Sequence, residues 1–292
     1  MKVALLFSGQ IREIPIELFR KSLSNLIKEL DYEIYIFTWR EVGKSLNHSK
    51  LIPENKCNNS SEEILKNFFD GFNVKDIKIE SNEDFQKQLD SKYLNIINSK
   101  EFHYGTVNSI AQIYAISKCF ELIKNKLNNF DLVFKCRFDS LFIHPLKLYN
   151  LEKIKNSGQV FSINFGRAYY PNRIYDIFFG GSTTSMFFLN DIWRKIPSLI
   201  EDQFSNGLDK RDACRIFYLA AKKNYIKVGS LQSRICDVFR NKKNNYYEKY
   251  ILKMHFLSLK KISNLNYYYY FLNWSKYRNF KKFVVLFYVF QT

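Results

Sequence analysis

The stretch richest in potential chemistry is residues 131–142, Asp-Leu-Val-Phe-Lys-Cys-Arg-Phe-Asp-Ser-Leu-Phe, where Arg137 and Asp139 stand two apart in an otherwise apolar run. On a strand, positions i and i+2 share a face, so guanidinium and carboxylate lie side by side, and buried charges need partners. Two uses compete. One is a local Arg–carboxylate ion pair; the other is a diphosphate site in which Asp139 holds a divalent metal and Arg137 neutralises phosphate.

Other candidates flank this run. Ser8, Gly9, Gln10, Ile11 and Arg12 follow an apolar segment, residues 2–7, that reads as a buried parallel strand delivering a loop at its carboxyl end. Trp39 closes a second predicted strand and is either a core aromatic or a ligand contact. Asp176 precedes Gly180 and Gly181, whose missing side chains would let a ligand approach the backbone; a bulge or turn explains these glycines equally well. Asp209 and Asp212 open a predicted helix. Helix N-termini favour acids on electrostatic grounds alone, which suits Asp209, so Asp212, one turn further in, is the preferred functional acid. A transferase that removes a proton from an acceptor hydroxyl needs a carboxylate, and Asp176 or Asp212 could serve. His48, His103, His144 and His255 show no triad or metal spacing. The absence of a P-loop and of a full dinucleotide fingerprint weighs against kinases and dehydrogenases.

The elements that must position these residues alternate. Residues 16–30 carry apolar side chains at helical spacing and lead into a strand over 32–39, so the chain opens as a β-α-β unit. Residues 43–73 are polar around a weak helix near 62–69, and 74–80 looks like a third strand. The spacing predicts a helix over 107–126, a strand over 131–143, another over 159–164, and strand, turn and strand over 178–189 around the two glycines. Helices over 191–200 and 208–223 and a strand over 226–228 follow. This alternation predicts an α/β fold with a mostly parallel, Rossmann-like sheet flanked by helices, binding ligands at the carboxyl ends of its strands.

Taken in order, the opening strand running into Ser8–Arg12, the second strand ending in Thr38 and Trp39, and the Arg-x-Asp element at Arg137 and Asp139 resemble glycosyltransferases of the GT-A type, specifically those of bacterial lipopolysaccharide and capsule synthesis. The resemblance covers roughly residues 1–235. It implies that Ser8, Gly9, Gln10, Arg12 and Trp39 embrace the donor nucleotide. It also implies that Arg137 and Asp139 meet its diphosphate with Mn or Mg on Asp139, and that Asp176, Gly180, Gly181 and Asp212 lie near the acceptor. In that fold the metal motif is usually Asp-x-Asp, and this sequence departs from it in having Arg137 at the first acidic place. The expected activity is sugar transfer from a nucleotide-sugar to a glycan or lipid-linked glycan acceptor; phosphoryl or glycerophosphoryl transfer is the alternative enzyme, and a polyanion- or membrane-binding module the non-enzymatic one.

Composition sets the remaining bounds. The chain has 292 residues, 46% of them hydrophobic, enough to bury a full core. Its formal charge of +17 implies a polyanionic neighbour. Residues 240–292 hold eleven Lys and Arg against the single acid Glu248, interleaved with aromatics such as Trp274, so most of the excess sits in a tail. A basic, aromatic, helical tail suits an anionic membrane surface first; nucleic-acid stacking is the competing use of the same composition, and a buried C-terminal helix the plain structural one. The expected organisation is a transferase domain over 1–239 and a membrane-surface segment over 240–292. Five scattered cysteines, no leader pattern and no apolar run long enough to span a bilayer predict a cytoplasmic protein, peripheral at the inner face of the inner membrane.

Overall fold

The computed structural model describes residues 1–11, 14–42, 61–98, 106–142, 144–163, 172–204, 213–231 and 236–238. All of them belong to the first of two units into which the chain divides, Met1–Tyr247 and Glu248–Thr292. The basic tail, Arg12, Asp209 and Asp212 lie outside the described residues.

In chain order the elements are β1 (Lys2–Gly9), α1 (Ile16–Leu26), β2 (Asp31–Trp39), α2 (Ser61–Phe69), β3 (Val74–Glu80), α3 (Asn82–Lys87), α4 (Ser91–Asn98), α5 (Thr106–Glu121), β4 (Leu132–Cys136), β5 (Ser140–Phe142), α6 (Leu151–Asn156), β6 (Gln159–Ile163), β7 (Phe178–Ser182), α7 (Thr183–Met186), α8 (Ile196–Phe204), α9 (Ala213–Lys223), β8 (Lys227–Leu231) and β9 (Cys236–Val238). Among the described residues, seven strands form one sheet in the order β3-β2-β1-β4-β7-β6-β8. Its pairings are parallel except where β7 runs antiparallel to β4 and β6. The expected α/β, mostly parallel sheet is present.

β1 and β2 are apolar almost throughout because helices cover both faces of the sheet. Ala4 and Leu6 of β1 pack into the core that α5 fills with Ile113 and Ile116. Phe7 points the other way, with ring contacts at 5.9 Å to Phe19 of α1 and 5.1 Å to Phe69 of α2. The two-residue period of the strand thus feeds two separate layers.

Two local readings need correction. Residues 131–143 are not one strand: the Ser140 N–H donates to the Arg137 carbonyl at 3.3 Å and closes a turn, after which β5 pairs with β9 in a second, two-stranded sheet. Helix α1 receives β5, Ser22 accepting the Phe142 N–H at 2.7 Å. The second error lies over 178–189, where one strand is followed by α7, because Ser182 caps the helix by accepting the Ser185 N–H at 3.1 Å. Among the described residues no helix is long and apolar enough to cross a membrane.

At the end of α9 the Ile226 N–H donates to the Ala221 carbonyl and the Tyr225 N–H to that of Lys222, the paired bonds of a Schellman cap. The left-handed position of that motif is usually glycine, yet here it holds Tyr225 at φ 58°, with its side chain 97% exposed. A side chain costs about 1 kcal/mol or more in this conformation. Tyr225→Gly is therefore expected to stabilise the protein by about 0.5–1 kcal/mol, measured as a higher urea midpoint at unchanged slope.

Candidate functional site

Strand order reverses at β1: the chain moves outward through β2 and β3, then returns to place β4 on the other side. Such a switch point leaves a crevice at the carboxyl ends of the strands, since the connections on its two sides diverge. Ser8 and Gly9 end β1 there. Gly9 has φ 113°, a backbone that only glycine holds without strain, and its carbonyl accepts from Thr38 Oγ1 at 2.9 Å, which ties the loop to the end of β2.

The crevice is a cleft of about 190 Å³. It is lined by Ser8, Gly9 and Gln10 at the end of β1, by Trp39 from β2, by Asn82 at the start of α3, and by Asn108, Ala111 and Gln112 from the first two turns of α5. Lys135, Arg137 and Phe138 enter from the end of β4, and Asp176 and Phe217 complete the lining. Asp176 is held by its own neighbourhood: the Ile174 N–H donates to the Cys214 carbonyl at 2.9 Å, and the Tyr175 N–H to Ser162 Oγ at 2.8 Å.

Arg137 organises the charges. Its Nε and Nη2 donate to the two carboxylate oxygens of Asp139 at 2.8 and 2.7 Å, and its Nη1 donates to Asp176 Oδ2 at 2.9 Å. The forked guanidinium matches a carboxylate edge on, so the Asp139 pair is bidentate and strong. Burial opposes the charge of Arg137, but Asp176 and Asp139 outweigh it and hold the guanidinium protonated well beyond its ordinary range. Burial likewise pushes the Asp176 carboxyl up, yet Arg137 and Lys135 together keep it below the usual carboxylate range.

Lys135 is different. It is only 4% exposed, and among the described residues no side chain or carbonyl pairs with its ammonium, which lines the cleft. Burial, with Arg137 reinforcing and Asp176 and Asp139 resisting, lowers its pKa from 10.5 to about 8. An unpaired cation held in a polar cleft at the cost of its hydration is a group waiting for an anion.

The structure thus gathers Ser8, Gly9, Gln10, Trp39, Arg137 and Asp176 around one cleft. Trp39 also serves the core, 4% exposed and stacked on Tyr114 at 5.8 Å. Asp139 is not a cleft residue: it is 2% exposed behind Arg137. The residues present do not fit the expected Mn or Mg site, because both oxygens of Asp139 accept from Arg137, and among the described residues no group of three acidic, His or Cys side chains could hold a metal. Gly180 and Gly181 do not face the cleft either. A side chain on Gly180 would meet the Phe134 ring at 2.2 Å and the Val133 carbonyl at 2.5 Å, and one on Gly181 the Gln159 carbonyl at 2.6 Å. Their smallness serves the β4–β7 and β6–β7 pairings.

No protein-family model matches the chain, and no curated protein matches it. The site therefore has to be judged on its own chemistry. Sequence reasoning missed Lys135, Asn82, Asn108, Gln112, Phe138 and Phe217. The signal for Lys135 was present, since a lysine inside a fully buried five-residue strand has no structural reason to be there. The amides carried no such mark.

Two expected outcomes follow from this geometry. Gly180→Ala destabilises the protein by about 1–3 kcal/mol, as overpacking against backbone does, and denaturant titration measures it. Lys135→Met stabilises the ligand-free protein at pH 7 by about 1–3 kcal/mol, because a fall from 10.5 to about 8 corresponds to roughly 3 kcal/mol of penalty on the charged form. The sign with pH is fixed. Below pH 8 both folded and unfolded states carry the proton and the penalty is complete; between about 8 and 10.5 only the unfolded state keeps it, so wild-type stability rises with pH. The gap in melting temperature between variant and wild type should close over that window.

Proposed function

We propose that this protein is a glycosyltransferase of the GT-A type that moves a sugar from a nucleoside-diphosphate donor to a hydroxyl of a cell-surface glycan. The observation that carries the reading is the switch-point cleft in which Lys135, without a hydrogen-bonded partner among the described residues, and Arg137 stand among four side-chain amides, a carboxylate and three aromatic rings. In the proposed reaction the bond from the anomeric carbon to the diphosphate oxygen breaks, a bond to the acceptor oxygen forms, and the acceptor proton departs. Negative charge grows on the leaving diphosphate, and fixed cations in a partly dehydrated site favour that transition state. Gln10, Asn82, Asn108 and Gln112 both donate and accept hydrogen bonds, as sugar and ribose hydroxyls require.

The electrostatics also bear on Asp176, one of the two acids proposed as bases. A carboxylate held ionised by neighbouring cations is a weak base, and proton transfer favours a group whose pKa lies near the working pH. Asp176, lowered by Arg137 and Lys135, is better suited to accept a hydrogen bond from a sugar hydroxyl than to remove a proton. Proton removal is left to a group such as Asp212. The basic, aromatic composition of residues 240–292 supports an acceptor presented at an anionic membrane surface.

The test is turnover of purified full-length protein with a panel of labelled nucleotide-sugars and an extract of surface glycan. Release of nucleoside diphosphate with sugar appearing in the glycan is the expected result. Release of nucleoside monophosphate would instead identify phosphoryl or glycerophosphoryl transfer, and no release from any donor would overturn both. Gln112→Ala, which leaves the core untouched, is expected to raise the donor KM about tenfold or less, the range of one neutral hydrogen bond, with an unchanged melting temperature.

A further inference from the structure

We infer that the cleft captures the diphosphate of its donor with Lys135 and Arg137 and without a divalent metal. This rests on the proposed nucleotide-sugar reading and concerns how the same site meets the charge. Among the described residues, the two acids at and beside the cleft that a metal would require are already committed. Asp139 has both oxygens on Arg137, at 2.8 and 2.7 Å, and is buried behind it. Asp176 has one oxygen on Arg137 at 2.9 Å, and the Cys214 thiol donates to its other oxygen at 3.6 Å.

The cations are arranged the opposite way. Arg137 with its two carboxylates sums to one negative charge, which Lys135 cancels formally but without contacting either acid. Of the five N–H groups on Arg137, three are used among the described residues, which leaves two donors on a side chain that lines the cleft. Lys135 and Arg137 are two apart on the chain and line the same cleft as Asn108 and Gln112. Those two lie in the first two turns of the sixteen-residue helix α5, the end of a helix that carries partial positive charge. A dication entering here meets an ammonium, a helix N-terminus and, in Asp176, a carboxylate already held by Arg137; an anion meets the ammonium, which has no hydrogen-bonded partner among the described residues, and the unused N–H groups of Arg137.

The experiment is calorimetric titration of the full chain with UDP, GDP, CDP and inorganic pyrophosphate, each in EDTA and again with Mn. At least one nucleoside diphosphate is expected to bind with a Kd that differs less than threefold between the two conditions. Lys135→Met is expected to weaken that binding thirtyfold or more while melting no lower than wild type, and Lys135→Gln to weaken it similarly. Binding that weakens tenfold or more in EDTA, or that survives both Lys135 substitutions unchanged, overturns metal-free capture and leaves the transferase reading standing. Failure of every nucleoside diphosphate and of pyrophosphate to bind in either condition overturns the transferase reading itself.

Discussion

One guanidinium holds the functional end of this fold together. Arg137 joins the turn after β4, through Asp139, to the segment before β7, through Asp176, thirty-nine residues away in sequence. Each of these ions loses several kcal/mol of hydration on burial, and only multiple well-aligned hydrogen bonds recover it. A lysine could not substitute, because a single ammonium lacks the planar fork that engages Asp139 along one edge and Asp176 along another. The clamp also explains why the turn is where it is. Once Arg137 grips Asp139, the chain after it is directed away from the main sheet, and β5 leaves to pair with β9.

The clamp decides what kind of ligand the cleft can take. With its two acids both hydrogen-bonded to Arg137, the charge left without a hydrogen-bonded partner among the described residues that line the cleft is Lys135, and the protein bears the cost of burying it. That cost, roughly 3 kcal/mol, is comparable with the stabilisation from burying one or two large apolar side chains. The surroundings supply it amply: Leu6, Ile113 and Ile116 are fully buried on the same face, and Phe7 anchors a second aromatic layer behind the sheet. Helix α5 serves both purposes. Ile110, Ile113 and Ile116 pack into the core, while Asn108, Ala111 and Gln112, offset around the helix, line the cleft.

The parts of this design that were legible in the sequence are those where one physical rule acts alone. The apolar run of β1 and the helical spacing of α1 and of the start of α5 each admit a single reading, although α5 ends at Glu121 rather than at 126, and the site loop at Ser8 and Gly9 follows from strand direction. The failures arise where two causes leave the same trace. Phe138, Leu141 and Phe142 continue the apolar pattern of β4, so the hydrophobic period cannot reveal that the strand ends at Cys136; the Arg137–Asp139 pair ends it. Glycines at 180 and 181 signal close approach, but the approaching groups are the Phe134 ring and the Gln159 carbonyl rather than a ligand. Arg137 and Asp139 stood out as a pair and were found as one, although the pair is internal. Lys135, four residues earlier than Asp139 and without a hydrogen-bonded partner among the described residues, had the greater claim to a ligand. Asn108 and Gln112 read as an ordinary polar face because a helix shows its period, not what it faces.

The same electrostatics constrain how a transfer reaction could proceed here. A cleft that binds an anion through fixed cations gains most when negative charge increases at the leaving group, so these residues favour bond breaking at the diphosphate side more than activation of the nucleophile. Asp176 cannot supply that activation, since the cations that favour the leaving group also hold its carboxylate weakly basic. Leaving-group stabilisation and general-base strength are thus opposed within a few ångströms of Arg137. A catalyst built on this cleft must take its proton acceptor from a group that does not touch the guanidinium, or let the departing diphosphate itself receive the proton.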